Sequence, residues 1–165
     1  MNTWKIRSTI KEITIILVLM FIMSNIISYI RAPDLGSSQL PKIEAKLVDG
    51  STFSARKGKP LIIHFWAISC PACKLEAPNI ETVSRRYDVL TIAVNSGSDE
   101  EVQTYMQENG LHFKVLNDRE GAWATEFKIE VFPTTFIYDA KRKLRFTEVG
   151  YTTTAGLLAR LEWIE

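Results

Sequence analysis

The sequence predicts an α/β fold in which helices cover both faces of a central sheet. Apolar runs of strand length alternate with segments of helical pattern, and the chain closes with two runs that resemble a hairpin. The length of 165 residues suits one domain of ordinary size together with an N-terminal extension. The only two cysteines, Cys70 and Cys73, directly follow the most apolar of the predicted strands.

The predicted elements alternate between strands and helices over most of the chain. An Asp49-Gly50 pair between two short apolar runs is typical of a hairpin turn. Ser98 and Glu101 have the spacing of a capping box that opens a helix, and Pro78 lies inside a helix, which it should kink. In chain order, the elements are a hairpin with strands 43–48 and 51–53, strand 60–67, helix 71–87, strand 89–94, helix 99–108, strand 113–116, helix 121–127, strands 134–138 and 144–149, and helix 155–164.

The charge distribution argues against nucleic-acid binding. The chain has 20 Lys and Arg and 19 Asp and Glu, a net charge of +1. Residues 1–41 hold four of the cations and two of the acids, so the remainder carries a net charge of −1. A nucleic-acid partner would require a strongly basic face, and we predict none.

Residues 13–30 form an uncharged apolar stretch that is long enough to cross a membrane. A cleaved signal peptide is the alternative, but it would have a shorter apolar region and a cleavage site between small residues. No such site follows the stretch, where Ser28-Tyr29-Ile30 offers one small residue and Arg31 comes next. We therefore predict an uncleaved transmembrane anchor.

The flanking charges predict the orientation of this anchor. Lys5, Arg7 and Lys11 precede it, which by the positive-inside rule leaves the N-terminus in the cytoplasm. The part of the chain after the anchor is then periplasmic or otherwise extracytoplasmic, on a single-pass protein of the inner (cytoplasmic) membrane. The predicted organisation is a cytoplasmic N-terminus (1–12), a transmembrane anchor (13–30), a flexible linker (31–41) rich in Pro, Gly and Ser, and a folded domain (42–165).

The two cysteines form a C-x-x-C motif at the junction of a strand and a helix, which is typical of a redox centre. Cys70 would lie at the helix N-terminus, where the helix dipole and free N–H groups stabilise a thiolate. Half of a zinc site is the alternative. It would need two further ligands, and only His64 and His112 remain, neither at a zinc-finger spacing. We predict a redox pair and no metal.

The segment HFWAISCPACKLEAPNI, residues 64–80, resembles the active-site segment of the thioredoxin superfamily. A helix inserted after the second strand and the stretches at 111–118 and 132–139 resemble its membrane-tethered, exported branch. That branch includes TlpA, ResA, CcmG-like and suppressor-of-copper-sensitivity D oxidoreductases. The resemblance covers about residues 43–164 and implies a thioredoxin fold, a central mixed sheet flanked by helices with an N-terminal hairpin and an inserted helix.

The resemblance also implies roles for the residues around the motif. Cys70 would be the attacking thiol and Cys73 the resolving thiol, with a redox-active Cys70–Cys73 disulfide and no other cofactor. Pro133 would follow a cis peptide bond opposite the motif. Substrate binding would involve five residues, Trp66, Pro71, Ala72, Phe132 and Pro133, of which Trp66 would both pack in the core and form a wall of the site.

Two titratable residues near the motif, Glu76 and His64, are candidates for proton transfer. Glu76 follows Cys73 by three residues on the same helix face, and some exported relatives use a Glu at this position to exchange protons with the buried thiol. A solvated helix Glu is the alternative. His64 stands six residues before Cys70, where relatives carry Asp or Asn. It is either a proton relay or, slightly favoured, a neutral core histidine with one hydrogen bond.

The predicted function is thiol–disulfide exchange with protein substrates. The protein would act as a reductant of protein disulfides, in cytochrome c maturation or at copper-site and metal-stress thiols. Electrons would come from a membrane or periplasmic thiol protein. An oxidase or isomerase in a copper-tolerance pathway is the main alternative, since Ile68-Ser69 replaces the usual Trp before the first Cys. A Cu(I)-binding module is a third hypothesis, but neither the helix-initiating Pro71 nor a cis proline would be required for it.

Overall fold

The computed structural model describes residues 3–43 and 46–165; for residues 3–9 and 24 it describes the backbone alone. The predicted first strand, 43–48, therefore lies partly outside the described residues. The described part of the N-terminal hairpin is short and contains one antiparallel bridge, between Lys46 and Thr52. The Leu47 N–H donates to the Ser51 carbonyl at 2.8 Å across the turn. The hairpin is thus a tight turn with one bridge rather than a pair of extended strands.

Ten helices and strands are assigned over the described residues. Their ends agree with the predicted ones to within a few residues. The predicted helix 71–87 ends earlier, at Ser84, because Arg86 and Tyr87 turn back through hydrogen bonds to the Val83 carbonyl. The elements are α1 (Thr3–Arg31), β1 (Leu61–Trp66), α2 (Pro71–Ser84), β2 (Asp88–Val94), α3 (Asp99–Glu108), β3 (Lys114–Asp118), α4 (Ala122–Glu126), β4 (Thr134–Tyr138), β5 (Leu144–Val149) and α5 (Thr154–Ile164).

The five strands form one mixed sheet in the order β3-β2-β1-β4-β5. Strands β1, β2 and β3 run parallel, while β4 is antiparallel to both β1 and β5. The strand β1 is buried along its whole length, as its continuous apolar run predicts. Strand β1 is the central strand, and α2 follows it directly. The turn between them therefore lies in the middle of the side of the sheet where β1 ends. The cysteines occupy this turn.

Two apolar clusters pack against the two faces of the sheet. Alternate residues of β1 divide between them, since successive side chains in a strand point to opposite faces. Ile62 and Trp66 belong to the cluster that includes α2, α3 and α5, and Ile63 and Phe65 belong to the cluster with Phe127. The buried face of α2, which carries Cys73, therefore packs on the first of these clusters.

The inserted helix α3 begins with the predicted capping box. Ser98 accepts a hydrogen bond from the Glu101 N–H at 3.2 Å, and the Glu101 carboxylate accepts one from the Ser98 N–H at 2.7 Å. Val102 and Met106 bury the other side of the helix against the core. The helix connects the parallel strands β2 and β3, as the sequence predicts.

Helix α1 contains an apolar span of 22 residues, Ile10–Arg31, with a mean hydropathy of 2.4 and almost no burial within the protein. By length and composition, it suits either a membrane span or an export signal. It extends past both ends of the predicted anchor 13–30. Of the predicted cytoplasmic segment 1–12, residues 1–2 and the side chains of Lys5 and Arg7 lie outside the described part. The last turns of α1 contact β5, where the Ser28 hydroxyl accepts a hydrogen bond from the Val149 N–H at 2.8 Å.

The segment 31–41 is not the flexible linker that its composition predicts. The Leu40 N–H donates to the Arg142 carbonyl at 2.9 Å, and Gln39 pairs with Lys143 beside the β4–β5 turn. Leu35 and Leu40 pack against the second apolar cluster. These contacts use the backbone groups at the edge of the sheet and the few apolar side chains of the segment. The folded domain therefore begins near residue 35 rather than at residue 42.

Candidate active site

Cys70 is the N-cap residue of α2. Its extended backbone conformation (φ −87°, ψ 113°) places the sulfur over the first turn, where Sγ accepts a hydrogen bond from the Cys73 N–H at 3.3 Å. Pro71 follows as the first helical residue, where its missing N–H costs no intrahelical hydrogen bond. A backbone N–H of the first turn and the positive end of the helix dipole thus both act on the Cys70 sulfur.

The loop before Cys70 is held by Ser96, a residue that the sequence analysis did not single out. Ser96 is buried at the end of β2, where its hydroxyl accepts a hydrogen bond from the Ile68 N–H at 3.1 Å. The same hydroxyl donates to the Val94 carbonyl at 3.0 Å. The Cys70 N–H then closes the turn on the Ala67 carbonyl at 3.1 Å. These bonds fix the strand-to-helix turn that presents the first sulfur.

The two thiols are free and differ sharply in environment. Cys70 is half-buried, whereas Cys73 is 3 % exposed. Burial raises the pKa of the Cys73 thiol, and the hydrogen bond with Cys70 adds to this effect. A substrate disulfide can therefore reach the Cys70 sulfur, while Cys73 stays protonated and covered until a change at Cys70 brings the two sulfurs together.

The Phe132–Pro133 peptide bond is cis, as the sequence predicts. This bond lies against the cysteines, because the Cys70 thiol approaches the Phe132 carbonyl oxygen at 3.8 Å. The Pro133 carbonyl already accepts a hydrogen bond from the Gly150 N–H at 2.8 Å. The Phe132 ring is half-buried beside the motif, and the Pro133 ring is buried. Of these two residues, Phe132 has the surface that a docked peptide could contact.

Glu76 is fully buried on the inner face of α2, which excludes the alternative of a solvated carboxylate. One carboxyl oxygen accepts a hydrogen bond from the Thr152 N–H at 3.2 Å. The other, Oε2, has no hydrogen-bond partner among the described residues. Burial raises the pKa of Glu76 to about 8, and the charge of Glu148 contributes in the same direction. Glu76 is therefore a proton-bearing group at neutral pH, one helical turn from Cys73.

His64 is buried in the centre of the sheet. Its Nδ1 lies 2.9 Å from the Thr135 hydroxyl of the neighbouring strand β4. Burial lowers the pKa of His64 to about 3, so the imidazole is neutral at physiological pH. This environment matches the neutral core histidine with one hydrogen bond. A proton-relay role would require it to take up a proton that its surroundings disfavour.

Trp66 is a core residue rather than a wall of the substrate site. It is 3 % exposed and packs against Tyr105 and Phe113, with ring centroids 5.6 and 6.1 Å away. The alternation of side chains along β1 turns it into the cluster beneath α2 and α3. The sequence predicts that Trp66 contacts the substrate, but its buried side chain leaves very little surface for such a contact.

The exposed surface around Cys70 is more apolar than the sequence analysis recognised. Pro71 is exposed and Ala72 is half-buried, as expected for residues that meet a substrate. Leu75 is 72 % exposed one turn after Pro71 on the outer face of α2. Tyr151 is 52 % exposed, and its hydroxyl accepts a hydrogen bond from the Asn79 side-chain amide at 3.1 Å. An exposed leucine beside a C-x-x-C motif is the signal that would have identified this surface.

The metal alternative finds no ligand set within the described residues. No group of three or more His, Cys, Asp or Glu side chains there could hold a metal ion. His64, one of the two histidines in the chain, is bonded to Thr135. The other, His112, lies 3.5 Å from a Glu81 carboxylate oxygen. Neither histidine is placed to complete a site with the cysteines.

The fold and the dithiol site define a thiol–disulfide oxidoreductase with a thioredoxin fold. Over residues 35–161 the chain matches the Redoxin family model, and it belongs to that family. It is 28 % identical to a thioredoxin-like protein of Haemophilus influenzae over 98 % of both chains. It is 30 % identical to sporulation thiol-disulfide oxidoreductase A of Bacillus subtilis, over 73 % of this chain and 76 % of that one.

The fold agrees with a solved structure of the same class. The crystal structure of StoA from Bacillus subtilis superposes with a TM-score of 0.65 at 27 % identity, covering 76 % of this chain and 98 % of that one. Protein thiols and disulfides are the substrates that membership of this class implies.

Proposed function

We propose that the protein is a membrane-tethered, extracytoplasmic oxidoreductase that reduces protein disulfides through Cys70 and Cys73. The observation that carries this proposal is the asymmetry of the pair. One sulfur is accessible and supported by a helix N-terminus, and the other is buried beneath it. The apolar span of α1 supports the tether, with its N-terminus in the cytoplasm as the flanking cations predict.

The reaction consists of two exchange steps. The Cys70 thiolate attacks a substrate disulfide, so that a mixed disulfide forms and one substrate thiolate leaves and takes up a proton. Cys73 then loses its proton and attacks the Cys70 sulfur. The Cys70–Cys73 disulfide forms as the second substrate thiolate departs, and two electrons have passed from the protein to the substrate.

Glu76 has the position and proton affinity to serve the second step. Cys73 is buried and must lose a proton to attack, and Glu76 lies on the same buried helix face. Because burial raises the pKa of Glu76 to about 8, only the minor ionised fraction present at neutral pH can accept that proton, and it does so inside the protein. His64 takes no part in this proton transfer, because its buried imidazole is neutral. Its role in this scheme is structural, through its hydrogen bond with Thr135. The dithiol carries the electrons, and no bound cofactor is required.

Phe132, Pro71 and Ala72 supply the surface that meets the substrate. They surround the accessible sulfur, and Leu75 extends the same surface along α2. The substrates we favour are exported proteins whose cysteines must be reduced before they bind haem or a metal. The electrons are resupplied by a membrane or periplasmic thiol protein.

Trapping with Cys73→Ser in the full chain tests the mechanism. The variant should accumulate mixed disulfides on Cys70, because the resolving thiol is gone. Cys70→Ser should form none, and its exchange with a model disulfide should fall to the uncatalysed background. Mixed disulfides on Cys73 in the Cys70→Ser variant would reverse the assigned roles.

The reduction potential of the pair tests the direction of electron flow. A reductant should have a potential near that of thioredoxin, about −270 mV, and an oxidant one near about −120 mV. A value near the latter would favour an oxidase or isomerase instead. Anaerobic titration with Cu(I) tests the third hypothesis. Tight stoichiometric binding of Cu(I) together with no disulfide exchange would contradict the proposed reductase and favour a copper-binding module.

A further inference from the structure

The uncharged stretch of α1 is only just long enough to cross a bilayer. Residues 13–30 number 18 and extend about 27 Å at 1.5 Å per residue, against a hydrocarbon core of about 30 Å. Glu12 precedes this stretch and Arg31 follows it. The stretch therefore has no length left to hold its last turn above the membrane, and Ser28 lies at the level of the lipid headgroups when α1 spans the bilayer.

Ser28 is also the residue through which α1 meets the folded domain. Its side chain is buried, and its hydroxyl accepts the hydrogen bond from the Val149 N–H at 2.8 Å. The described side chains from Ile10 to Ile27 are exposed, so the helix leaves the domain within its last turns. The part of β5 beside Ser28 is thereby held at the same depth as Ser28.

A cavity of about 660 Å³ lies between α1 and the β5–α5 face at this level. Asn25 and Ser28 line it from α1, Arg145 and Phe146 from β5, and Trp163 from α5. Trp163 is 82 % exposed, and the Arg145 side chain is 45 % exposed. Tryptophan is enriched where hydrocarbon meets headgroups, because its ring is apolar and its N–H is polar. Trp163 and Arg145 thus present an aromatic ring and a cation to the headgroup layer.

Basic side chains continue from Arg145 into the β4–β5 turn. Segment 139–145 contains four cations and one acid, Asp139. The Asp139 carboxylate lies 3.7 Å from the Arg145 guanidinium and offsets one of the four positive charges. Lys141 and Lys143 are exposed on the same turn. The turn therefore carries a net positive charge next to the cavity.

A second cationic loop lies against this turn. Arg142 donates to the carbonyls of Arg56 and Lys59 at 2.8 and 3.3 Å, and three of the four residues of this loop are cations. Asp88 pairs with Arg56 and Glu165 with Lys59. Turn and loop still hold more cations than acids, whereas the domain as a whole has a small negative charge. Clusters of Lys and Arg close to a membrane surface are attracted by anionic lipids.

We propose that the β5–α5 face rests on the bilayer through Trp163 and Arg145, with the cationic turn 139–145 directed at anionic phospholipid headgroups. This inference rests on the membrane tether proposed above and goes beyond it. A tether alone would let the domain turn in any direction, whereas this contact holds the β5 edge of the sheet toward the membrane. The opposite edge, β3, then points away from it.

The test is ¹⁹F NMR of the full chain labelled with 5-fluorotryptophan. The chain is placed in nanodiscs of phosphatidylcholine and phosphatidylglycerol that carry a spin label on the lipid headgroups. Trp163→Phe and Trp123→Phe assign the two signals that matter. The Trp163 signal should be broadened several-fold more than the Trp123 signal, because Trp123 lies on α4, which contacts β3 at the far edge of the sheet.

A matched pair of charge reversals tests the choice of anionic lipid. Arg145→Glu should reduce the broadening of the Trp163 signal at least to half in these discs and change it little in discs of phosphatidylcholine alone. Arg119→Glu reverses an exposed charge just after β3 and should leave the signal unchanged. If Arg145→Glu does not fold, the wild type decides, since its Trp163 signal should be broadened more with phosphatidylglycerol than without it.

Equal broadening of the Trp163 and Trp123 signals in discs that contain the protein would overturn the proposal and leave the tether in place. Equal effects of Arg145→Glu and Arg119→Glu would overturn the assignment of anionic headgroups. A chain that does not enter the discs would overturn the tether and this inference together. Thiol–disulfide exchange in the same discs tests the proposed reductase separately, because the cavity between α1 and the β5–α5 face does not include the cysteines.

Discussion

The Nδ1 atom of His64 lies 2.9 Å from the Thr135 hydroxyl oxygen, and both side chains are buried between the sheet and α2. A protonated imidazole at this place would need a charged partner or water, and the described contacts supply a hydroxyl group. The pKa of His64 is accordingly lowered to about 3 by burial. This chain thus has at the centre of its sheet a group that stays neutral throughout the physiological range.

Replacing His64 with Asn should make the protein less sensitive to acid. Between about pH 3 and 6.5 the unfolded chain binds a proton at His64 that the folded chain does not. The free energy of unfolding of the wild type should therefore fall as pH falls through this window, by up to about 1.4 kcal/mol per pH unit more than that of His64→Asn. Denaturant titrations at several pH values measure the difference.

The same variant separates a structural histidine from a proton relay. If His64 is structural, the exchange rate of His64→Asn at pH 7 should stay within about threefold of wild type, because the side-chain amide can keep a hydrogen bond with Thr135. A loss of rate with an unchanged fold would instead assign His64 to proton transfer.

Replacing Glu76 with Gln should change the pH dependence of stability in the opposite sense. The pKa of Glu76 rises from 4.5 to about 8 on folding, so between these values the folded chain holds a proton that the unfolded chain has lost. This contribution to stability is complete below pH 4.5 and is lost as pH rises through 8. The wild type should lose up to about 1.4 kcal/mol per pH unit relative to Glu76→Gln across this window. Parallel stability curves for the two proteins would contradict the buried, protonated carboxyl group.

Leu75→Ser should weaken the binding of protein substrates without impairing the dithiol. Leu75 is 72 % exposed beside Pro71, and its removal takes apolar area from the surface that meets the substrate. KM for a protein disulfide should rise several-fold, equivalent to about 1 kcal/mol, while the rate with a small disulfide should not change. Trp163→Ser is the control, since Trp163 is 82 % exposed on α5. Equal effects of the two variants would show that Leu75 has no special part in docking.

Shortening the chain should reveal the docked N-terminal segment. A chain that begins at residue 35 should be as stable as the full domain, because it retains the apolar side chains of Leu35, Leu40 and Ile43. A chain that begins at residue 46 should lose about 2–4 kcal/mol in the free energy of unfolding, since these side chains are partly buried. Denaturant unfolding measures the stability of both chains. If the two are equally stable, segment 35–45 adds nothing to the fold, and the predicted domain start at residue 42 would stand.

The main elements of the fold follow from the sequence because each has a local cause. The continuous apolar run of β1, the capping box at Ser98 and the strands on both sides of residues 139–143 depend on neighbouring residues, and the structure confirms all three. The linker was predicted wrongly for the complementary reason. Its Pro, Gly and Ser composition indicates flexibility, whereas the bonds to Arg142 and Lys143 come from residues about a hundred positions away.

The candidate site divides in the same way. Cys70, Cys73 and the position of Pro133 are visible in the sequence, because the motif and the F-P-T-T strand are contiguous. The contacts of Glu76 with Thr152, and of Ser96 with Ile68, depend on how separate elements meet. The burial of Trp66 depends on which face of β1 the helices cover. The exported, membrane-tethered location remains a prediction.

The docked segment after α1 has a consequence for how substrates are found. Helix α1 already contacts the domain through Ser28, and only residues 32–34 separate its end at Arg31 from the packed side chain of Leu35, a stretch of at most about 10 Å. With α1 in a membrane, the dithiol would search in two dimensions rather than sweep a volume on a long tether. Partners that share the bilayer would meet it at a high effective concentration, while soluble proteins would have to come to the surface to be reduced.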